Sequence, residues 1–190
     1  MSTLKVDEIL KRTGTGTITL GQSGDTISIP SGATLNSAGT TTLADGQNMA
    51  PAFTAKLAAN QSIANGTTTI VALATEVYDQ GSVFDTSTYR FTPGIAGSKF
   101  YIYGQASLGN LAVDKALWTY VYKNGSIFFS TMNGNTQSGV NDTMANFGFL
   151  DTPNATDYYD MRVYHNDGSS ENLRVDNYET NFGAFRIMGA

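Results

Sequence analysis

Between residues 78 and 108 the chain alternates in the manner of a sheet. Tyr89 and Phe91, then Phe100 and Ile102, recur with the period of two that a half-buried strand requires. Thr92-Pro93-Gly94 separates the two predicted strands. Proline presets φ for a turn, and glycine takes the positive φ that other residues resist. In the second strand, predicted over 99–108, Phe100, Tyr101, Ile102 and Tyr103 are consecutive bulky residues, so both faces need cover. One face can meet the domain's own core. The other requires a second sheet or another subunit.

The same pattern continues to the C-terminus. Asn65-Gly66 and Asn124-Gly125 are two-residue hairpin signals, because a type I′ turn needs positive φ at both central positions. Residues 117–122 and 127–129 flank the second as strands. Asn166-Asp167-Gly168 is predicted to join 158–164 to 173–175 in the same way. Polar loops fall at 132–141 and 151–157. No long helix is predicted; 112–117 makes at most a turn.

Composition divides the chain. Every aromatic residue lies at Phe53 or later, so the part before it cannot build an ordinary core, and the boundary falls near 47–51. Residues 13–50 are rich in Thr, Ser and Gly, the composition of a flexible linker. A repeat stands against that reading. Ile18, Ile27, Leu35 and Leu43 recur every eight or nine residues, each in a short Thr-rich apolar stretch followed by glycine. A lone chain has too few aliphatic residues here to offset the entropy of ordering the segment. It is therefore either a β-rich shaft of intertwined chains, with those four residues on its axis, or a linker. Residues 1–12 carry Leu4, Val6, Ile9 and Leu10 among five charges, as a frayed terminus or as a docking peptide that orders on a larger body.

Charge and chemistry narrow the function classes. The net charge of -5 argues against nucleic-acid or anionic-membrane binding by charge. No apolar run approaches the roughly 20 residues of a membrane span, and the charged N-terminus lacks the core of a signal peptide. Cysteine is absent and His165 is the one histidine, so the usual zinc sets and a Ser-His-Asp triad have little to work with. His165 is expected as a solvated ring beside a turn. Gly14-x-Gly16 lacks the rest of a phosphate-binding loop. Asp151, Asp157 and Asp160 are close in sequence and are candidates for a glycosidase pair or a hard-cation site, or are ordinary solvated acids. No cofactor is expected.

The stretch FDTSTYRFTPGIAGSKFYIYG (84–104) is similar to the central signature of C1q and tumour-necrosis-factor-like domains. Three further pieces agree in order: Ala52-Phe53-Thr54-Ala55 resembles the opening strand, Val121-Tyr122-Lys123-Asn124-Gly125 the middle hairpin, and residues 182–188 the closing strand. The likeness spans about 51–190. It departs in having no Gly-X-Y run before the domain and in placing the last glycine, Gly183, one position early. The resemblance implies an all-β, ten-stranded antiparallel jelly roll that assembles as a homotrimer, with Phe53, Phe91, Phe100, Tyr101, Trp118 and Phe185 in its core and trimer contacts.

The opening STLKVDEI resembles the short start found on many tail and capsid-appendage proteins of tailed bacteriophages. That likeness implies a virion component; with no signal peptide it is expected to be made in the host cytoplasm, and a non-enzymatic role is expected. Residues 1–12 would attach it to other virion proteins, 13–50 would form a stalk, and 51–190 a knob. Adhesion to a host-surface glycan or protein is the expected role. The candidate receptor-facing residues are Asn133, Asn135, Thr136, Gln137, Asn154 and Asp157, with Tyr158 and Tyr159 as neighbouring rings. A cement protein without a receptor and a small carboxylate-based polysaccharide depolymerase are the alternatives.

Overall fold

In the computed structural model, residues 16–17, 19–34, 49–137, 139 and 142–187 are described. They fall into two units, divided between Thr42 and Leu43. In the first unit the described residues hold two turns and no strand. Asp25 N–H bonds the Gln22 carbonyl at 3.0 Å, and Ala33 N–H bonds the Pro30 carbonyl at 3.0 Å. Gly24 and Gly32, eight residues apart, take positive φ in these turns. Of the four predicted axis residues, Ile18, Leu35 and Leu43 lie outside the described residues. Ile27 is described and is exposed.

The second unit is an antiparallel sandwich. Its strands are β1 (Ala52–Lys56), β2 (Gln61–Ile63), β3 (Thr69–Ile70), β4 (Thr75–Gln80), β5 (Phe84–Asp85), β6 (Arg90–Phe91), β7 (Phe100–Gly109), β8 (Ala116–Lys123), β9 (Ser126–Gly134), β10 (Asp142–Asp151), β11 (Tyr159–His165), β12 (Glu171–Leu173) and β13 (Asn181–Arg186). Seven strands form one sheet around β7. Its one edge pairs with β10 along its whole length; its other edge takes β13 and then β12. β1 adds to β13 and β4 to β1. The remaining six strands form the second sheet around β11, with β8 and β9 on one side and β6 and β3 on the other. The described residues form thirteen strands where ten were expected; the additional ones include short pieces, β3, which pairs with β11, and β5 and β6, which pair with each other.

The core lies between the sheets and is dominated by aromatic rings. Phe53 stacks on Phe84 and Phe91 at 4.8 Å and meets Phe182 edge-on at 5.3 Å. Phe91 continues to Phe100 and Tyr159. Such pairs contribute about 0.5–1.5 kcal/mol each beyond the area they bury. Phe53, Phe91 and Phe100, three of the residues that the resemblance sets in core or trimer contacts, are buried in this core.

Local chemistry explains the FDTSTYRF stretch. Asp85 accepts from the Ser87 N–H at 2.8 Å, the Ser87 hydroxyl at 2.7 Å and the Thr88 hydroxyl at 2.8 Å. This side-chain-capped turn lets Phe84 and Phe91 pair directly and both point inward. Tyr89 takes positive φ in the turn, so it is not part of the alternation predicted for it. Pro93-Gly94, with Gly94 at φ 72°, then carries the chain from the second sheet to the first.

Two predicted hairpins are corrected. Asn124 and Gly125 both take positive φ and close the β8–β9 hairpin as expected. Asn65-Gly66, however, lies between β2 and β3, which belong to different sheets, and only Gly66 has positive φ. Gly66 N–H bonds the His165 carbonyl instead. The 166–168 turn likewise joins β11 in one sheet to β12 in the other. A turn signal reverses the chain locally; which strand pairs with which is decided by the sandwich.

Candidate functional site

The register sets two ends of the domain. Ala52, Phe100, Asp151 and Arg186 lie at the end where β1 begins. Gly109, Asp142, Ala116 and Gly134 lie at the other. β9 runs between the ends over nine residues, about 25–30 Å.

The two groups of candidate receptor residues sit at opposite ends. Asn133, Asn135, Thr136 and Gln137 are at the far end and line one polar cleft of about 170 Å³ with Asp142 and Thr143. Asn133 is exposed, with its amide on the Met144 carbonyl at 2.7 Å. Asn135 is buried rather than receptor-facing: its amide donates to the Leu111 carbonyl at 2.6 Å, and its side-chain oxygen accepts from Gln137 N–H at 3.0 Å. Other polar side chains brace this end. Ala112 N–H bonds Asp167 at 2.6 Å, Ala116 N–H bonds Asn166 at 2.8 Å, and Gly168 N–H bonds Asn65 at 2.8 Å.

Asn154 and Asp157 are at the near end, where Asp157 is buried and fully engaged. It accepts from the Asn124 amide at 2.8 Å and the Asn154 N–H at 2.9 Å, and pairs with Lys123 at 3.1 Å. Those bonds, the Asn124 amide first, hold its carboxyl below the usual range. Asp151 shares Lys123 at 2.7 Å and accepts from the Tyr159 hydroxyl. Burial alone would raise the Asp151 carboxyl, but the bonds from Lys123 and Tyr159 outweigh it and lower it. A glycosidase acid needs a raised carboxyl, and here both are depressed. A wider cleft of about 570 Å³ opens at the same end, lined by Pro51, Val83, Pro93, Ile95 and Arg186.

The third acid is sealed elsewhere. Asp160 is fully buried, bonded to Arg162 at 2.5 Å and 4.0 Å from the Arg90 guanidinium. The three carboxylates do not converge, and no group of three acidic, His or Cys side chains that could hold a metal occurs among the described residues. His165 is buried, not solvated. Its Nδ1 accepts from Asp167 N–H at 3.3 Å, so Nε2 carries the proton and donates to the Ile63 carbonyl at 3.0 Å. The ring ties β11 to β2 across the sheets.

Tyr101 and Phe185 are on the outward face of the seven-stranded sheet. Their rings lie 5.5 Å apart, with Tyr103 6.0 Å from Tyr101. Leu150, directly opposite Tyr101, and Tyr78 are exposed on the same face. Trp118 is in neither the core nor this patch. Leu117 and Thr119 take the inward positions of β8, so Trp118 points out from the second sheet, edge-on to Tyr164 at 5.2 Å. The sequence held that signal in Trp118, Tyr120 and Tyr122, alternate residues of one strand. Tyr159, offered as a neighbouring ring, is in the core.

No family model matches the sequence, and no curated protein matches it significantly. Similar solved structures do exist. A murine APRIL crystal structure at pH 5.0 aligns with TM-score 0.56 and 11% identity, over 72% of this chain and 98% of that one. Eiger TNF from S. frugiperda aligns with TM-score 0.54 and 8% identity, over 73% and 93%. The globular domain of zebrafish complement 1qA protein aligns with TM-score 0.50 and 14% identity, over 74% and 98%. The fold is the jelly roll of C1q and TNF domains.

Proposed function

We propose that this protein is a non-enzymatic, homotrimeric appendage of a tailed-phage virion, anchored by residues 1–12, extended by 13–50 and ending in the 51–190 knob. The observation that carries self-association is a pair of unlike apolar surfaces. One is the outward face with Tyr78, Tyr101, Leu150 and Phe185; the other is the β9 edge, where Ile127 and Phe128 are exposed. A face meeting an edge is a head-to-tail contact, which closes into a ring when the rotation between copies closes. The resemblance to C1q and TNF-like domains supports a ring of three. Residues 2–9 support the virion context. The polar surface of the knob, the cleft at 133–137 included, supports adhesion by the knob.

Two measurements test this reading. Sedimentation of the full chain is expected to give a single species of three times 20.3 kDa. Gold-labelled antibodies against the knob are expected to decorate one fixed place on the parent particle. A folded monomer at micromolar concentration, or particles without label, defeats it.

A further inference from the structure

The outward face of the six-stranded sheet holds side chains that neither the core nor the proposed ring contact uses. β8 points Trp118, Tyr120 and Tyr122 outward. β11 sets Tyr164 opposite Trp118, Arg162 opposite Tyr120 and Asp160 opposite Tyr122, and β9 adds Met132 beside Trp118 and Ser130 beside Tyr120. The Arg162 guanidinium lies 3.9 Å over the Tyr122 ring, and that of Arg90 lies 4.1 Å over Tyr158. The result is a continuous, partly exposed layer of rings.

Two properties of this layer define its ligand. Its charges cancel. Arg162 and Arg90 stand against Asp160 and against Asp85, which pairs across from Arg90 and is held by Ser87 and Thr88. On a chain of net charge -5, this face offers an ionic partner no unmatched charge. Its polar tips, in contrast, are unused. The hydroxyls of Tyr120, Tyr122, Tyr158 and Tyr164 and the Trp118 indole N–H make no hydrogen bond with any described residue. On the other sheet, by comparison, the Tyr103 hydroxyl is bonded to Thr54 at 2.7 Å. Apolar ring faces with free donors and acceptors at their rims suit a ligand that has both C–H faces and hydroxyls.

We infer that this face binds an uncharged bacterial polysaccharide, with sugar rings stacked on Trp118, Tyr120 and Tyr164 and sugar hydroxyls bonded to the phenols and the indole N–H. The adhesive reading above supplies only the source of this ligand; the chemistry stands on the face itself. In the proposed ring, three such faces point outward, and linkage strengthens weak single sites.

The test uses full-length protein on a printed array of neutral and acidic bacterial polysaccharides. Binding to neutral polymers is expected, and binding to acidic ones alone, or to none, overturns the inference. Trp118 is the one tryptophan, so titrating a hexasaccharide of the bound polymer should change the intrinsic fluorescence. Unchanged fluorescence at saturation places the ligand elsewhere and also overturns it. Tyr120→Ala and Tyr164→Ala, checked for unchanged melting, are expected to weaken binding at least tenfold, with Tyr120→Phe retaining most of it. Replacing 133–137 by Gly-Ser should leave it intact; the reverse pattern overturns the inference in favour of the far-end cleft. Cell binding separates the two readings. Cells that hold the protein after periodate but release it after protease support adhesion and sink the saccharide, whereas array binding without binding to any cell does the opposite.

Discussion

Tyr103 crosses Gly183 to reach Thr54. Gly183 is its direct partner on β13, Thr54 is the partner of Gly183 on β1, and the Tyr103 hydroxyl bonds Thr54 Oγ1 at 2.7 Å. A β-carbon at Gly183 would stand 2.5 Å from the Tyr103 ring and 2.9 Å from the Phe53 carbonyl oxygen. The glycine is there so that a ring can lie across three strands. Gly148 serves Tyr101 in the same way from β10.

Gly183→Ala should therefore be costly although the site is a strand, where alanine is ordinarily the better residue. The carbonyl on one side is fixed by the sheet, so the Tyr103 ring has to leave. Overpacking of this kind costs about 1–3 kcal/mol. The expected drop in Tm is about 3–10 °C by calorimetry. Equal melting of variant and parent would show that the ring does not lie as described.

The outward patch makes a separate prediction. Leu150→Asp and Phe185→Asp place a charge among Tyr78, Tyr101 and Tyr103 without entering the core. Each should convert the proposed trimer to monomer in sedimentation while the β-type circular dichroism stays unchanged. Ser169→Asp, at the exposed far end, should leave the trimer alone. Trimers that survive both patch variants would move the contact to another surface.

Acid should unfold the domain in a definite window. Asp85 is lowered to about 2 by its bonds from Ser87 and Thr88. Asp157 and Asp151 are also lowered. A carboxyl depressed in the folded state stabilises it above the unfolded value, here 3.8, and that contribution is lost as pH falls toward the folded value. Tm is expected to stay level from pH 7 to about 5 and to fall steadily below about 4. Asp157→Asn should melt lower at pH 7 and lose less on acidification, so the two curves approach one another near pH 2. Parallel curves would exclude Asp157 as a source of acid sensitivity.

For residues 13–50 the shaft and the linker differ in one variant. Ile27→Asp, three times over on a shared axis, puts unpaired charges where burial is required, at several kcal/mol each. In the shaft, limited proteolysis between 13 and 48 should quicken in the variant while the knob stays trimeric. Equal cleavage of both proteins identifies a linker.

Period-two alternation and turn chemistry act over a few residues, and those features were legible in the chain. They placed Phe91, Phe100 and Ile102 on inward positions, closed the β8–β9 hairpin at Asn124-Gly125, and marked the strand whose second face needs cover. Only the tertiary structure decided the rest. Asn65-Gly66 and 166–168 carry turn signals as good as Asn124-Gly125, yet they lead from one sheet to the other, because pairing partners are chosen by packing between distant strands. The same holds for the side chains of the candidate sites. His165 is buried because Ile63, 102 residues earlier, offers it a carbonyl. Asp151 and Asp157 are spent on Lys123, 28 and 34 residues before them. Asn135 faces inward because Leu111 lies behind it. Local sequence sets backbone conformation and the direction of each side chain relative to its strand. What that side chain meets depends on contacts across long loops, and no short stretch of the chain contains them.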